Sequence, residues 1–185
     1  MITVKKQHLE YLARFVSTEE TRFYLMGVYF DKDKNTLVAT DGHRLGYIEQ
    51  AWEGELKESK IVKITKAALQ LMKSTMKKFE IVNLEVTEKG LIMSDGEQQV
   101  LLPFIDSDYP DWRKISKVVT GSIAHFGIDP KLLKDFQIKQ PVVIVPQCSN
   151  LNAMVVLVDE IPEFRGLIMP VRLSSKMENI INEGL

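Results

Sequence analysis

The stretch LVATDGHRL, Leu37 to Leu45, sets Asp41 and His43 two residues apart at the end of an apolar run. On an extended strand residues i and i+2 share a face, so a hydrogen-bonded acid/base pair is geometrically open to them. Catalysis would also need a nucleophile or an oxyanion site. The chain has no G-x-S-x-G turn, no glycine-rich phosphate loop and nothing near Asp41 to stabilise an oxyanion. The competing reading is a polar strand end whose side chains fix a turn or line a groove. No residue is assigned a catalytic role, and the chain is not expected to be an enzyme.

Metal chemistry fares no better. DKDKN, Asp31 to Asn35, begins like a calcium loop, but its sixth position is Thr36 instead of glycine and its twelfth is Gly42 instead of a bidentate glutamate. A hairpin turn is expected there. His8, His43 and His125 are scattered, and the single Cys148 cannot build a usual zinc site. Neither metal nor cofactor is expected. The 24 basic and 25 acidic residues nearly cancel, so any electrostatic function must come from charge segregated onto one face. One cysteine suits a reducing compartment, and no apolar run approaches the roughly 20 residues that span a bilayer. The N-terminus lacks a signal-peptide core, so a cytoplasmic protein without membrane contact is expected.

The elements that must position these residues repeat. MITVKKQHLEYLARFV reads as strand then helix, followed by RFYLMGVYF, NTLVATD and HRLGYIEQ as strands. KIVKITKAALQLMKSTMKKFEIVNLEV gives strand, a helix capped by Thr65, and strand; glycine-bearing turns at TEKG and SDGE then join further strands. In SIAHFGIDPKLLKDF, Asp129 caps a helix with Pro130 at its first position, and VVIV, AMVVLV and RGLIMPV follow as strands. Val4, Ile64 and Ile128, each the last residue before a helix, are offset by 60 and then 64 residues. Three βαβββ units result. One helix per unit against strand-rich sequence predicts an α+β fold of antiparallel sheets with helices on one face.

Charge segregation is visible on the helices. Lys66, Gln70, Lys73 and Lys77 fall within one narrow sector of the second helix, with Ala68, Leu71, Met72, Thr75 and Phe79 opposite. The third helix sets Lys131 and Lys134 against Leu132, Leu133 and Phe136, and the first contributes Lys6 and Arg14 beside Glu10. Such lysines are flexible point charges suited to phosphates without base readout; a solvated helix face is the plainer alternative.

TRFYLMGVYF followed by LVATDGHRLGYI resembles the middle domain of the bacterial DNA polymerase III β subunit (sliding clamp) family, which carries R-x-Y-L-x-G before A-T-D-G-H-R-L. IDSDYPDWRKI is similar to the family's F-P-D-Y-R-R segment, and LIMPVRL, Leu167 to Leu173, to its C-terminal M-P-M-R-L. The resemblance implies a DNA-clamp-like fold, with 1–115 a complete domain of two units (about 1–54 and 55–115), 116–173 a third unit and 174–185 a tail. Basic helices would face double-stranded DNA without reading sequence: Lys66, Gln70, Lys73, Lys77, Lys131, Lys134, Lys6 and Arg14. Leu25, Thr40, Gly42, His43, Arg44 and Leu45 would form one wall of a groove, and Met169, Pro170, Val171, Arg172 and Leu173 the other, receiving hydrophobic peptides from a DNA polymerase or other replication and repair proteins. Clamp chains carry four or six units where this chain has three; the resemblance implies a homo-oligomeric ring, and the third unit is expected to pair with its copy in another chain. The alternative is a peptide-groove adaptor or decoy that does not encircle DNA. In the tail, Met177, Ile180 and Ile181 stand at helical spacing after Ser174 or Ser175.

Overall fold

Alternating burial dictates where the first strand and its neighbours form: Ile2 and Val4 point inward while Thr3 between them does not, and Val82 and Leu84 alternate with exposed Asn83. The computed structural model describes residues 1–94, 97–117, 121, 123, 125–136, 141–149 and 152–182, with the side chains of Thr75 and Lys77 left out. The chain falls into two compact units, Met1–Asp111 and Trp112–Leu185.

Unit 1 passes twice through a similar order of elements, the first pass with one strand more than the second. The first pass has β1 (Ile2–Lys5), α1 (Lys6–Leu12), β2 (Val28–Asp31), β3 (Thr36–Thr40), β4 (Arg44–Ile48) and β5 (Trp52–Gly54). The second has β6 (Lys60–Val62), α2 (Lys66–Lys73), β7 (Ile81–Val86), β8 (Gly90–Ser94) and β9 (Gln99–Ile105). The strands pair antiparallel in the order β4-β3-β2-β6-β9-β8-β7-β1-β5. The two passes interlock. β1 pairs with β7, Val4 opposite Val82, and β6 pairs with β2, Val62 opposite Val28. Each first strand also pairs with the last strand of its own pass, β1 with β5 and β6 with β9. β4 and β5 stand at opposite ends of this order yet are joined by residues 49–51 alone, a reach of about 10–14 Å, so the sheet curls back on itself.

RFYLMGVYF, expected as one strand, divides. Glu20–Leu25 forms a 3-10 segment and the strand begins only at Val28. Only Leu25 of the 3-10 segment is buried, so it lacks the alternation a half-buried strand needs. Gly27 then lets the chain press against β6, since a Cβ there would lie 2.7 Å from Ile61 Cγ2. DKDKN does form the connection between β2 and β3: Lys34 and Asn35 take φ of 55° and 50°, and the Asp31 carboxylate accepts from the Asp33 backbone N–H at 3.0 Å. The turn residues Asp95 and Gly96, and Val118 to Thr120 of the expected junction, lie outside the described residues.

In unit 2, α3 (Pro130–Leu133) leads into a 3-10 turn, Lys134–Phe136, and then β10 (Val142–Val145), β11 (Met154–Val158) and β12 (Phe164–Ile168) form an antiparallel run before α4 (Ser175–Asn182). Phe136 and Phe164 meet edge to face at 6.2 Å, both fully buried. Gly166 makes room for them; a Cβ there would lie 2.3 Å from Phe136 Cε1. The residues preceding the three helices, Lys5, Thr65 and Asp129, keep the 60- and 64-residue offsets. Among the described residues no helix is long and apolar enough to cross a membrane.

Thr65 Oγ1 accepts from the Ala68 N–H at 3.1 Å, so Thr65→Ala is expected to lower unfolding stability by about 1 kcal/mol in urea titration. Tyr109 stacks flat on Tyr29 at 4.5 Å, and burial raises its hydroxyl pKa well above the ordinary 10.0, opposed in part by the Thr40 backbone. The unfolded chain therefore ionises this group first. Its contribution to stability is constant below the ordinary value and lost as pH climbs past it. The urea midpoint should fall between about pH 9 and about pH 11, and fall less in Tyr109→Phe.

Candidate functional site

The corner between β3 and β4 is built by local hydrogen bonds. Thr40 Oγ1 donates to the Arg44 carbonyl at 2.6 Å and accepts from the Gly42 N–H at 3.0 Å. Asp41 Oδ1 accepts from the backbone N–H groups of His43 and Arg44 at 2.9 and 3.0 Å, and Oδ2 accepts from Arg44 Nε at 3.0 Å. An aspartate bonded to N–H groups two and three residues on is an Asx-type turn, which is why DGH can reverse the chain here. Gly42 takes φ of 91°, a conformation that favours glycine. Both oxygens of Asp41 are thus engaged by backbone and guanidinium, while the His43 ring stands exposed. The carboxylate serves the turn.

Arg44 is held from three directions. Beyond Asp41, its Nη2 donates to the Arg14 carbonyl at 3.0 Å, and the guanidinium lies 5.3 Å from the centroid of the buried Phe15 ring. The Arg44–Asp41 pair is largely buried, the side chains 9% and 17% exposed. Such a pair fixes geometry more than it adds stability, because desolvation offsets most of the Coulomb gain. Arg22 closes the other side: Nη1 donates to the Asp41 carbonyl at 3.3 Å and Nε pairs with Glu19 at 3.3 Å. Beside it, Phe23 is half exposed. Leu25 and Leu45, expected in the groove wall, are buried, with exposures of 4% and 1%, and Thr40 is also buried. Gly42 and His43 are the exposed residues of the corner. Arg22 falls outside the residues expected in the wall, and its signal is the R-x-Y-L spacing ahead of ATDGHRL, of which it is the first residue.

In unit 2 the run from Met169 to Leu173 leaves β12 as an extended strip. Met169, Val171 and Arg172 are exposed, Pro170 and Leu173 half-buried. Val171 donates its N–H to the Gly127 carbonyl at 3.0 Å in an antiparallel bridge. His125, Phe126, Pro170, Arg172 and Glu178 border a cleft of about 400 Å³ beside it.

Three of the expected stripe residues have described side chains on α2 itself. Lys66, Gln70 and Lys73 are exposed along α2 and border a shallow cleft of about 370 Å³, while Ala68, Leu71 and Met72 are buried on the other side. Ser74, with φ −92° and ψ −85°, ends the helix. Lys77 consequently lies on a following 3-10 turn, out of the α-helical register, with its side chain outside the described residues. Phe79, expected on the apolar side, is 52% exposed because it falls beyond that turn. Lys6 is otherwise employed: its ammonium donates to the Met72 carbonyl in the last turn of α2 at 3.4 Å and to the Met76 carbonyl of the following 3-10 turn at 3.0 Å, where a cation is favoured. Arg14 lies beyond the end of α1, with its guanidinium over Tyr11. Lys131 and Lys134 of unit 2 are exposed, on the last residues before Phe136 turns into the core.

Asp41→Ala removes three acceptor contacts at once and is expected to lower stability by about 1–3 kcal/mol in denaturant unfolding. Asp41→Asn keeps an acceptor for the backbone N–H groups and should lose less. A loss in Asn as large as in Ala would show that the charge, not the turn, is what matters.

Comparison with known proteins matches residues 4–111 to the family model for the DNA polymerase III beta subunit, central domain. The beta sliding clamp of Haemophilus influenzae is 27% identical over 114 residues, covering 58% of this chain and 31% of that protein. That of Caulobacter vibrioides is 31% identical over 107 residues, covering 54% and 29%. The chain thus matches less than a third of the length of these relatives. Among solved structures, Caulobacter crescentus pol III beta superposes with a TM-score of 0.68 at 23% identity over 93% of this chain and 65% of that one. The Bartonella birtlesii DnaN sliding clamp gives 0.68 at 20% identity over 93% and 66%. At such identities the superpositions speak for the fold, and the match over residues 4–111 places the chain in the family of the bacterial DNA polymerase III beta subunit.

Proposed function

We propose that this protein is a non-catalytic, sliding-clamp-like tether that surrounds duplex DNA as an oligomer and docks partner proteins through short hydrophobic peptides. The observation that carries the reading is the exposed Lys66–Gln70–Lys73 face, on a helix backed by the sheet of the unit that matches the family's central domain. Lysine and glutamine side chains without base-reading geometry suit phosphate contact, which holds the duplex and lets it slide. Lys131 and Lys134 extend the same chemistry in unit 2, and Lys77 is retained as a phosphate contact on its 3-10 turn. Lys6 and Arg14 act indirectly, through the carbonyls of α2 and the packing on Tyr11.

The corner at Gly42 and His43, with Thr40, Leu25 and Leu45 buried and Arg44 fixed behind, supplies a rigid surface for a peptide's apolar anchor. Met169 and Val171, flanked by Pro170, Arg172 and Leu173, supply a second apolar contact of the same character. Anchors that suit such surfaces are leucine or phenylalanine side chains, the apolar groups a short peptide lays into a hydrophobic groove.

Lys66 and Lys73 changed together to glutamate should abolish retention on nicked circular DNA, measured by gel filtration of the complex. The wild-type chain should be retained on circles and lost from linear DNA with free ends. Equal retention on both would favour an adaptor that binds peptides without encircling DNA. His43→Ala should weaken binding of a leucine-bearing polymerase peptide by roughly twofold to tenfold in fluorescence titration, with DNA retention unchanged.

A further inference from the structure

Unit 1 displays a pairing rule. The first strand of each repeat has two neighbours: the last strand of its own repeat, and the first hairpin strand of the other, as β1 has with β7 and β6 with β2. The exchange is reciprocal, and it leaves the apolar positions involved fully covered. Ile2 and Val4 are 0% and 2% exposed, Val62 0%, Val28 0% and Val82 0%.

Unit 2 fulfils half of this rule. Its first segment, His125 to Ile128, bridges to the last strip of its own repeat through Gly127 and Val171. β10, the counterpart of β2 and β7, pairs with β11 on one side, and among the described residues it ends the strand order on the other. Incomplete cover follows on both partners. By the helix-cap spacing, Phe126 and Ile128 occupy the places of Ile2 and Val4, yet both are only half-buried. Val142 and Ile144 lie opposite Val158 and Val156, which are buried, but are themselves only half-buried, and Val143 is 58% exposed.

Edge strands of soluble proteins are ordinarily blunted by charge. β5, at the end of the order in unit 1, carries Glu53 and a Gly54 with φ of 105°. β10 carries none: it is VVIV between Pro141 and Pro146, and the segment FGI from Phe126 to Ile128 is uncharged as well. We infer that a second copy of this chain fills both gaps, its His125–Ile128 segment pairing with β10 and its β10 pairing with the first chain's segment about a two-fold axis. Two-fold symmetry requires one self-complementary surface, and unit 2 owns both halves of the exchange with no fixed charge in either run to face its own copy. The inference is independent of DNA or peptide binding; it rests on the pairing seen within unit 1.

Sedimentation equilibrium of the 185-residue chain should give twice the chain mass. Val143→Lys, placed on an already exposed side chain, should give the monomer mass, while Met177→Lys on α4 should leave the dimer. Hydrogen exchange should find the backbone amides of both 125–128 and 142–145 protected in the wild type and both released in Val143→Lys. A wild-type monomer mass at tens of micromolar overturns the inference without recourse to any variant. So do a dimer indifferent to Val143→Lys, a dimer broken by Met177→Lys, or protection confined to one of the two runs.

Discussion

The exchange of first strands between repeats is the constraint on which unit 1 depends. β1 and β6 are four and three residues long, and β1 draws its mates from both repeats: Ile2 lies opposite Gly54 on one side and Leu84 on the other. Backbone N–H and C=O groups removed from water need such partners, and the outward edges of both hairpins need covering. Each repeat therefore supplies what the other lacks. The buried positions at the exchange, Ile2, Val4, Val28, Val62, Val82 and Leu84, are all aliphatic, as close contact between strands facing a common core requires.

The corner at the end of β3 is downstream of that arrangement. Once β3 and β4 are held in register, Thr40 opposite Leu45, only the four residues Asp41 to Arg44 remain to reverse the chain. Asp41 and Thr40 satisfy the backbone of those residues with their side chains, and the left-handed conformation falls on Gly42. The polar residues that look like an acid/base cluster in the sequence are consequently structural. Chemistry would need a free carboxylate facing the imidazole, whereas both Asp41 oxygens accept bonds from elsewhere.

Electrostatics follows the same pattern of local order serving a wider surface. α2 is capped at its start by Thr65 and met at its end by the Lys6 ammonium, so the helix that displays Lys66 and Lys73 is tied down at both termini. A lysine from α1 is thereby drawn from the surface into the support of a neighbouring helix. The basic face that remains is narrow and exposed, in a chain whose total charge is near neutral.

The strand and helix repeat, the caps at Thr65 and Asp129, the DKDKN turn and the antiparallel α+β class were all legible in the amino-acid order, because each rests on local periodicity, turn chemistry or spacing. The motifs around Tyr24 and Asp41 likewise carried the family. Other features depend on groups distant in sequence and escaped local reading. The helix break at Ser74 moves Lys77 out of register, and Lys6 finds the carbonyls of Met72 and Met76 some 66 and 70 positions away. Glu20–Leu25 gives up strand pairing, and Gly27 is required only because β6 passes against it. Burial of Leu25 and Leu45, and the capture of Asp41 by backbone and Arg44, could be decided only by packing, since which polar atom meets which partner is set by three-dimensional proximity and not by the order of residues along the chain.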